Sequence, residues 1–131
     1  MSLFSDSQLQ KVFSEKAPKP VGPYVQAAQW DGLVYCSGQI GLEPASNRLA
    51  EGGIRGQAEQ AFRNLQAVLE AADSSLQKAL KVTVYLTDMA AFGEMNEVYE
   101  KYFVNYPARS CVGVKELPKG ALVEVDVVAA K

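Results

Sequence analysis

The chain contains no histidine. That absence removes the side chain most often used as a general base near neutral pH, and the commonest metal ligand. Cysteine is scarce as well: Cys36 and Cys111 stand far apart, with no CxxC spacing. A zinc site needs three or four close ligands, which this inventory supplies only by relying on carboxylates, so no metal is expected. Two reduced thiols in a reducing compartment are expected rather than a disulfide. No excess of positive charge exists either. The formal net charge is −2, so no global field draws the chain toward nucleic acid. Long apolar runs are missing too: LVYC and VVAA fall far short of the ~20 residues that a membrane span needs. The N-terminus, MSLFSDSQLQKVF, lacks a basic stretch followed by an apolar one, and it carries Asp6 but no arginine. A cytoplasmic location is expected, with the mitochondrion as the alternative.

What is present is an ordinary folded composition. Over 131 residues, 48% are hydrophobic and 21% charged, which suits one domain with one core. That domain is expected to span 1–131, with about 1–15 as a loosely ordered lead-in. KAPKPVGP packs three prolines near one glycine and reads as an extended loop. QAAQW and LVYCS flank Asp31-Gly32, a hairpin signal between two short β-prone runs. GLEPASNRLAEGG is turn-rich and polar, hence a loop.

From Ile54 to Ala72 the apolar residues Ala58, Ala61, Phe62, Leu65, Val68 and Leu69 recur at steps of three and four, the mark of an amphipathic helix. KVTVYLT alternates, with Val82, Val84 and Leu86 facing one way: a strand with one apolar face. Asp88 is placed to cap a second helix whose inner stripe is Phe92, Met95, Val98, Tyr99, Tyr102 and Phe103. YPARS closes that helix, since proline cannot continue it. ARSCVGVK and ALVEVDVVA are the last two strands, with LPKG as the turn between them.

The resulting order, β-β-α-β-α-β-β, is an α+β pattern: one sheet with two helices on one face. The other face would then carry Thr83, Tyr85, Glu124 and Asp126, a mixed polar and apolar surface of the kind that other subunits close. A homo-oligomer is expected.

Several residues stand out as chemically able. Arg109 opens a strand among small and apolar neighbours; a buried guanidinium there wants a planar anion such as a carboxylate or phosphate. A structural ion pair with a nearby Asp or Glu fits the spacing equally. Period-two alternation puts Arg109, Cys111 and Gly113 on one strand face. A hairpin about LPKG would place Glu124 and Asp126 on that same face.

Glu124 stands inside the apolar run LVEVDV, where an acid is rarely accidental. Without histidine it is the natural proton handler, able to orient or activate water. The competing reading is a carboxylate on the uncovered sheet face. Cys111 has no histidine to raise it to a thiolate, so lining a pocket is favoured over nucleophilic attack. Tyr24 follows a Gly-Pro turn and either meets a ligand or packs beneath its loop. Ser37 and Gly38 offer a hydroxyl and bare amides at a strand end, or else mark a bulge. SGQIG lacks the lysine of a phosphate loop. On spacing alone the result is an anion-binding enzyme or a ligand-binding module.

GPYVQA (22–27), SGQIGLEP (37–44), QAEQAFRNLQAVLEAA (57–72), VYLTDM (84–89), MNEVYEKYF (95–103), PARSCVGV (107–114) and LPKGALVEVDVVA (117–129) together closely resemble the RidA/YjgF family, the reactive intermediate deaminases. The resemblance runs from about Lys16 to the C-terminus in the family's order. It implies a chorismate-mutase-like α+β fold assembled as a homotrimer, with sites in clefts between subunits and no cofactor or metal. It also implies hydrolysis of 2-iminopropanoate and 2-iminobutanoate to 2-keto acids and ammonium. Arg109 would clamp the substrate carboxylate and Glu124 would position the attacking water. Cys111 would lie near the imine, Tyr24, Ser37 and Gly38 would line the pocket, and Asn96 would support the site. Within the same resemblance, Asp73 replaces a usual glycine and the VNY segment before Pro107 is short. The alternatives are an endoribonuclease or translation inhibitor, which would prefer a basic groove with aromatic platforms, and a non-catalytic carboxylate binder or holdase, in which Glu124 would be dispensable.

Overall fold

The computed structural model describes residues 8–131. Of the expected lead-in, residues 1–7 lie outside the described residues, and residues 8–15 contain a short strand. Gln10–Val12 form β1, which pairs antiparallel with β2 through Gln10↔Gln29 and Val12↔Ala27. Strands β2 (Ala27–Trp30) and β3 (Leu33–Cys36) make the expected hairpin. Its two turn residues, Asp31 (φ 52) and Gly32 (φ 79), both take the left-handed backbone that a type I′ turn requires. A further short strand, β4 (Gln39–Ile40), lies between the expected strand LVYCS and the expected loop GLEPASNRLAEGG, and it pairs with β7.

Helix α1 (Gly53–Ala71) buries Ala58, Ala61, Phe62, Leu65, Val68 and Leu69, the stripe its periodicity implies. It ends in a Schellman arrangement: Ser74 N donates to Leu69 O and Asp73 N to Glu70 O, with Asp73 at φ 60 in the left-handed region. Strand β5 (Ala79–Leu86) follows. Asp88 does cap, but not α2 directly. Its side chain accepts from Ala90 N at 2.9 Å and closes the 3-10 turn Met89–Ala91 that leads into α2 (Phe92–Tyr102). Strands β6 (Ala108–Gly113) and β7 (Val123–Ala130) complete the chain.

The sheet order is β1-β2-β3-β7-β5-β6. One expectation fails here: β6 and β7 do not form a hairpin. β5 lies between them, parallel to β6 and antiparallel to β7. The β5–α2–β6 segment is a parallel crossover, and helix α2 supplies the connection that parallel strands need.

Register then sorts the faces. Val82 pairs with Arg109 and with Val127, and Val84 with Cys111 and Val125, so these residues share the helix-covered face. Tyr85 pairs with Glu124 and Val112, and Thr83 with Asp126 and Ser110, so these share the opposite face. That face also carries Tyr35 and Val112, both substantially exposed. Two helices on one side and a mixed, open face on the other match the expected α+β architecture. Among the described residues, no helix is long and apolar enough to cross a membrane.

The core between helices and sheet includes an aromatic cluster. Phe62 of α1 meets Phe103 edge-on at 5.3 Å and Tyr99 at 5.9 Å, and Tyr99 stacks on Phe103 at 4.5 Å. Such pairs contribute about 0.5–1.5 kcal/mol each beyond simple burial. They lock α2 onto α1, and they fix the position of Tyr99, on which the arginine below rests.

Candidate active site

Two separate clefts hold most of the candidate residues. The first, of about 260 Å³, lies at the edge strand and is lined by Asn96, Tyr99, Glu100, Tyr106, Pro107 and Arg109. The Arg109 guanidinium sits 4.6 Å over the Tyr99 ring and 5.5 Å from the Phe92 ring. Its Nη1 donates to Asn96 Oδ1 at 2.7 Å. Among the described residues the ion pairs are those of Arg55 with Glu94 and Glu97 and of Arg63 with Glu59. The structural-ion-pair reading of Arg109 is therefore not what folds. Aromatic faces and one neutral amide orient the fork without neutralising it, which leaves it suited to an incoming carboxylate.

Cys111 lies two residues further along the same strand face, half-buried. Burial pushes its thiol above the ordinary range, and the Arg109 charge offsets this only in part. A thiol held protonated is a poor nucleophile, in keeping with the absence of histidine. Tyr99 carries a buried hydroxyl with no hydrogen-bond partner among the described residues.

The second cleft, of about 160 Å³, is lined by Tyr24, Gln26, Gly38, Ile40, Pro118 and Glu124, together with Pro18, Lys19 and Lys119. Glu124 enters it from the open face of β7. Burial, and then the neighbouring Asp126, push its carboxyl above the ordinary carboxylate range. That shift makes the carboxylate a stronger base than an exposed glutamate, as a proton acceptor near neutral pH should be. Gly38 leaves room for Glu124: a Cβ there would displace the Glu124 carboxylate from its place in the cleft. Tyr24 is half-exposed at the cleft mouth. Ser37 is placed differently from the expectation that its hydroxyl faces a ligand. Its Oγ donates to Val25 O at 2.6 Å, and its N–H donates to Gln26 O, so it anchors the Tyr24 loop.

The expectation that Arg109 and Glu124 share a face is overturned by the register. Arg109 is on the helix side and Glu124 on the open side, with β5 between their strands. Two strand spacings across and three residues along put their Cα atoms roughly 14 Å apart. No three- or four-carbon acid spans both within one chain. A βαβ reading of β5, α2 and β6 would have found their parallel pairing from sequence, but not that β7 pairs with the far side of β5 rather than with β6. A third and broader groove, about 610 Å³, lies between the 43–51 loop and α1 and carries none of the candidate residues. Its lining mixes Arg48 and Arg63 with Glu43, Glu51 and Glu59. Among the described residues no group of three or more acids and cysteines is arranged to hold a metal ion.

The chain folds as a small α+β protein with Arg109 in a cleft at the sheet's edge strand and Glu124 in a second cleft on the open face of the central strand β7. The chain belongs to the family described as Endoribonuclease L-PSP, the RidA/YjgF family, whose model matches residues 14–131. A RutC family protein of Aquifex aeolicus is 46% identical over 126 residues, covering 94% of this chain and all of its own. The mouse 2-iminobutanoate/2-iminopropanoate deaminase is 44% identical over 127 residues, covering 95% of this chain and 94% of its own. The crystal structure of RidA from the Antarctic bacterium Psychrobacter sp. PAMC 21119 superposes with a TM-score of 0.89 at 42% identity, covering 93% of this chain and 99% of its own. The family thus includes proteins named for imine hydrolysis and others named for ribonuclease activity. The choice between these chemistries rests on the site.

Proposed function

We propose that the chain hydrolyses short 2-imino acids, 2-iminopropanoate and 2-iminobutanoate, to 2-keto acids and ammonium, at sites shared between copies of a homotrimer. The observation that carries this reading is the division of labour between the clefts. An orienting arginine without a carboxylate partner and a glutamate of raised basicity occupy opposite faces of one sheet. Each is half of a site, and a neighbouring copy packed on the open face would supply the other half.

In such a site Arg109 takes the substrate carboxylate in a bidentate grip and selects for an acid. Glu124 of the adjoining copy accepts a proton from the attacking water as its oxygen bonds to the imine carbon. The resulting carbinolamine receives that proton on nitrogen; its C–N bond then breaks to expel ammonia while the hydroxyl gives its proton back to Glu124, and ammonia takes up that proton, so that the keto acid and ammonium leave. The Glu124 carboxylate also stabilises the iminium, whose carbon is more electrophilic than that of the neutral imine. Cys111, Asn96, Tyr24 and Gly38 line or support the pocket, and Ser37 holds the Tyr24 loop. A ribonuclease would want a basic groove with stacking platforms; here the arginine cleft also contains Glu100, and the chain is net acidic.

The test generates both imino acids in situ and follows keto-acid release. Acceleration by the wild-type chain, lost in Arg109→Ala and strongly reduced in Glu124→Ala, is the expected result. No acceleration from a folded oligomer would refute the reading, and Glu124→Ala with full activity would refute the role of Glu124.

A further inference from the structure

The Glu124 cleft is walled by segments with little regular structure, yet each wall is held by a buried side-chain amide. Asn64 of α1 donates to Ile40 O at 3.2 Å and to Leu42 O at 2.9 Å, fixing the wall that follows β4. Gln57 of α1 accepts from Leu122 N at 2.8 Å, fixing the segment that follows Pro118 and Lys119. The third wall, the loop from Pro18 to Val25, contacts neither helix through such a bond. Its stem is closed by Gln26, which is only 2% exposed. Gln26 Oε1 accepts from Ser14 N at 2.6 Å, while its Nε2 donates to Ser14 O at 3.0 Å and to Pro18 O at 2.9 Å. The Ser37 bonds to Val25 O and Gln26 O fix the other side of the same stem.

A buried amide with every polar atom satisfied by one segment of chain is a latch for that segment. The loop it latches carries Tyr24, Lys19 and Val21, which with Gln26 line the same cleft as Glu124. Three prolines stiffen the loop but donate no backbone hydrogen bonds, so its position depends on the tie at its base. From this geometry we infer that Gln26 is a positioning residue for the proposed reaction: its amide latches the Pro18–Val25 loop and thereby holds Tyr24 in the wall of the Glu124 cleft. The inference rests on the deaminase reading for its catalytic consequence and on geometry alone for the latch.

Gln26→Glu separates this role from bulk folding. It keeps the size and the acceptor for Ser14 N, but when ionised it turns an oxygen toward the Ser14 and Pro18 carbonyls; when protonated it regains one donor. Oligomer size and far-UV circular dichroism should match wild type. The ratio of variant to wild-type kcat/KM should be at most one tenth at pH 8 and rise at least threefold by pH 6. At pH 7.5, trypsin should cut the Lys16–Ala17 bond, in the stem between Ser14 and Pro18 that Gln26 ties, at least ten times faster than in wild type, with sites outside residues 14–26 cut no faster. A pH-independent ratio, or Lys16–Ala17 as protected as in wild type, overturns the inference. If wild type hydrolyses no imino acid, the deaminase reading fails, and the trypsin result still decides the latch. If Gln26→Glu does not assemble, Ser14→Pro, which removes the N–H that Gln26 Oε1 accepts, is read by the same cleavage assay with the same two outcomes.

Discussion

Replacing Arg109 by lysine keeps the positive charge and removes the fork. Arg109 lies against Tyr99 at 4.6 Å and Phe92 at 5.5 Å, and one of its N–H groups is already committed to Asn96 at 2.7 Å. The remaining donors are what a bidentate carboxylate would use. A lysine ammonium in the same place still attracts the anion, but it offers a single point contact with free rotation. One charge-assisted hydrogen bond contributes about 1.5–3 kcal/mol. Its loss lowers kcat/KM for 2-iminobutanoate by about 10- to 150-fold, since each 1.4 kcal/mol is roughly a factor of ten. The bond to Asn96 and part of the ring contact are lost as well, at a cost of about 1 kcal/mol in stability, or a few degrees in melting temperature. Turnover and thermal melting measured on one preparation separate the two effects. Activity within threefold of wild type would refute the argument that planar, two-point recognition at Arg109 matters.

Three further outcomes follow from the structure. Because burial raises the Glu124 carboxyl, the folded chain binds more protons there than the unfolded chain, and stability contributed at this position falls as pH rises through the folded value. Glu124→Gln should therefore be more stable than wild type at pH 7.5, by a margin that shrinks toward pH 4, while losing at least tenfold in turnover; denaturant melts across that range check the sign. Tyr99→Phe removes a buried hydroxyl without a partner among the described residues and keeps the ring beneath Arg109. It should stabilise the chain by about 1 kcal/mol with activity within threefold, read by urea titration and the turnover assay. Asp73 closes α1 in the left-handed region at φ 60, so Asp73→Gly should raise stability by about 0.5–1 kcal/mol and leave turnover unchanged.

Periodicity in the chain carries both helices and the central strands, because their burial patterns repeat every 3.6 or every two residues. It misses β1 and β4, which have three and two residues and so no period to detect. Arg109 and Glu124 are legible as residues, the one from its PARS setting and the other as an acid in an apolar strand. Their relation is not. Strand order depends on where α2 returns the chain, and treating LPKG as a tight turn hides the intervening β5. Gln26 gives no sequence signal as a latch, since only its burial against Ser14 and Pro18 reveals it.

Whether one site draws on two copies is tested most directly by complementation. Arg109→Ala retains Glu124, Glu124→Gln retains Arg109, and each alone should be nearly inactive on 2-iminobutanoate. When equal amounts are unfolded together and reassembled, random threefold rings place an intact arginine beside an intact glutamate in about a quarter of the sites. Recovery to about a quarter of wild-type turnover is the predicted result. No recovery, with mixed oligomers demonstrated by native mass spectrometry, would contradict a site shared between copies.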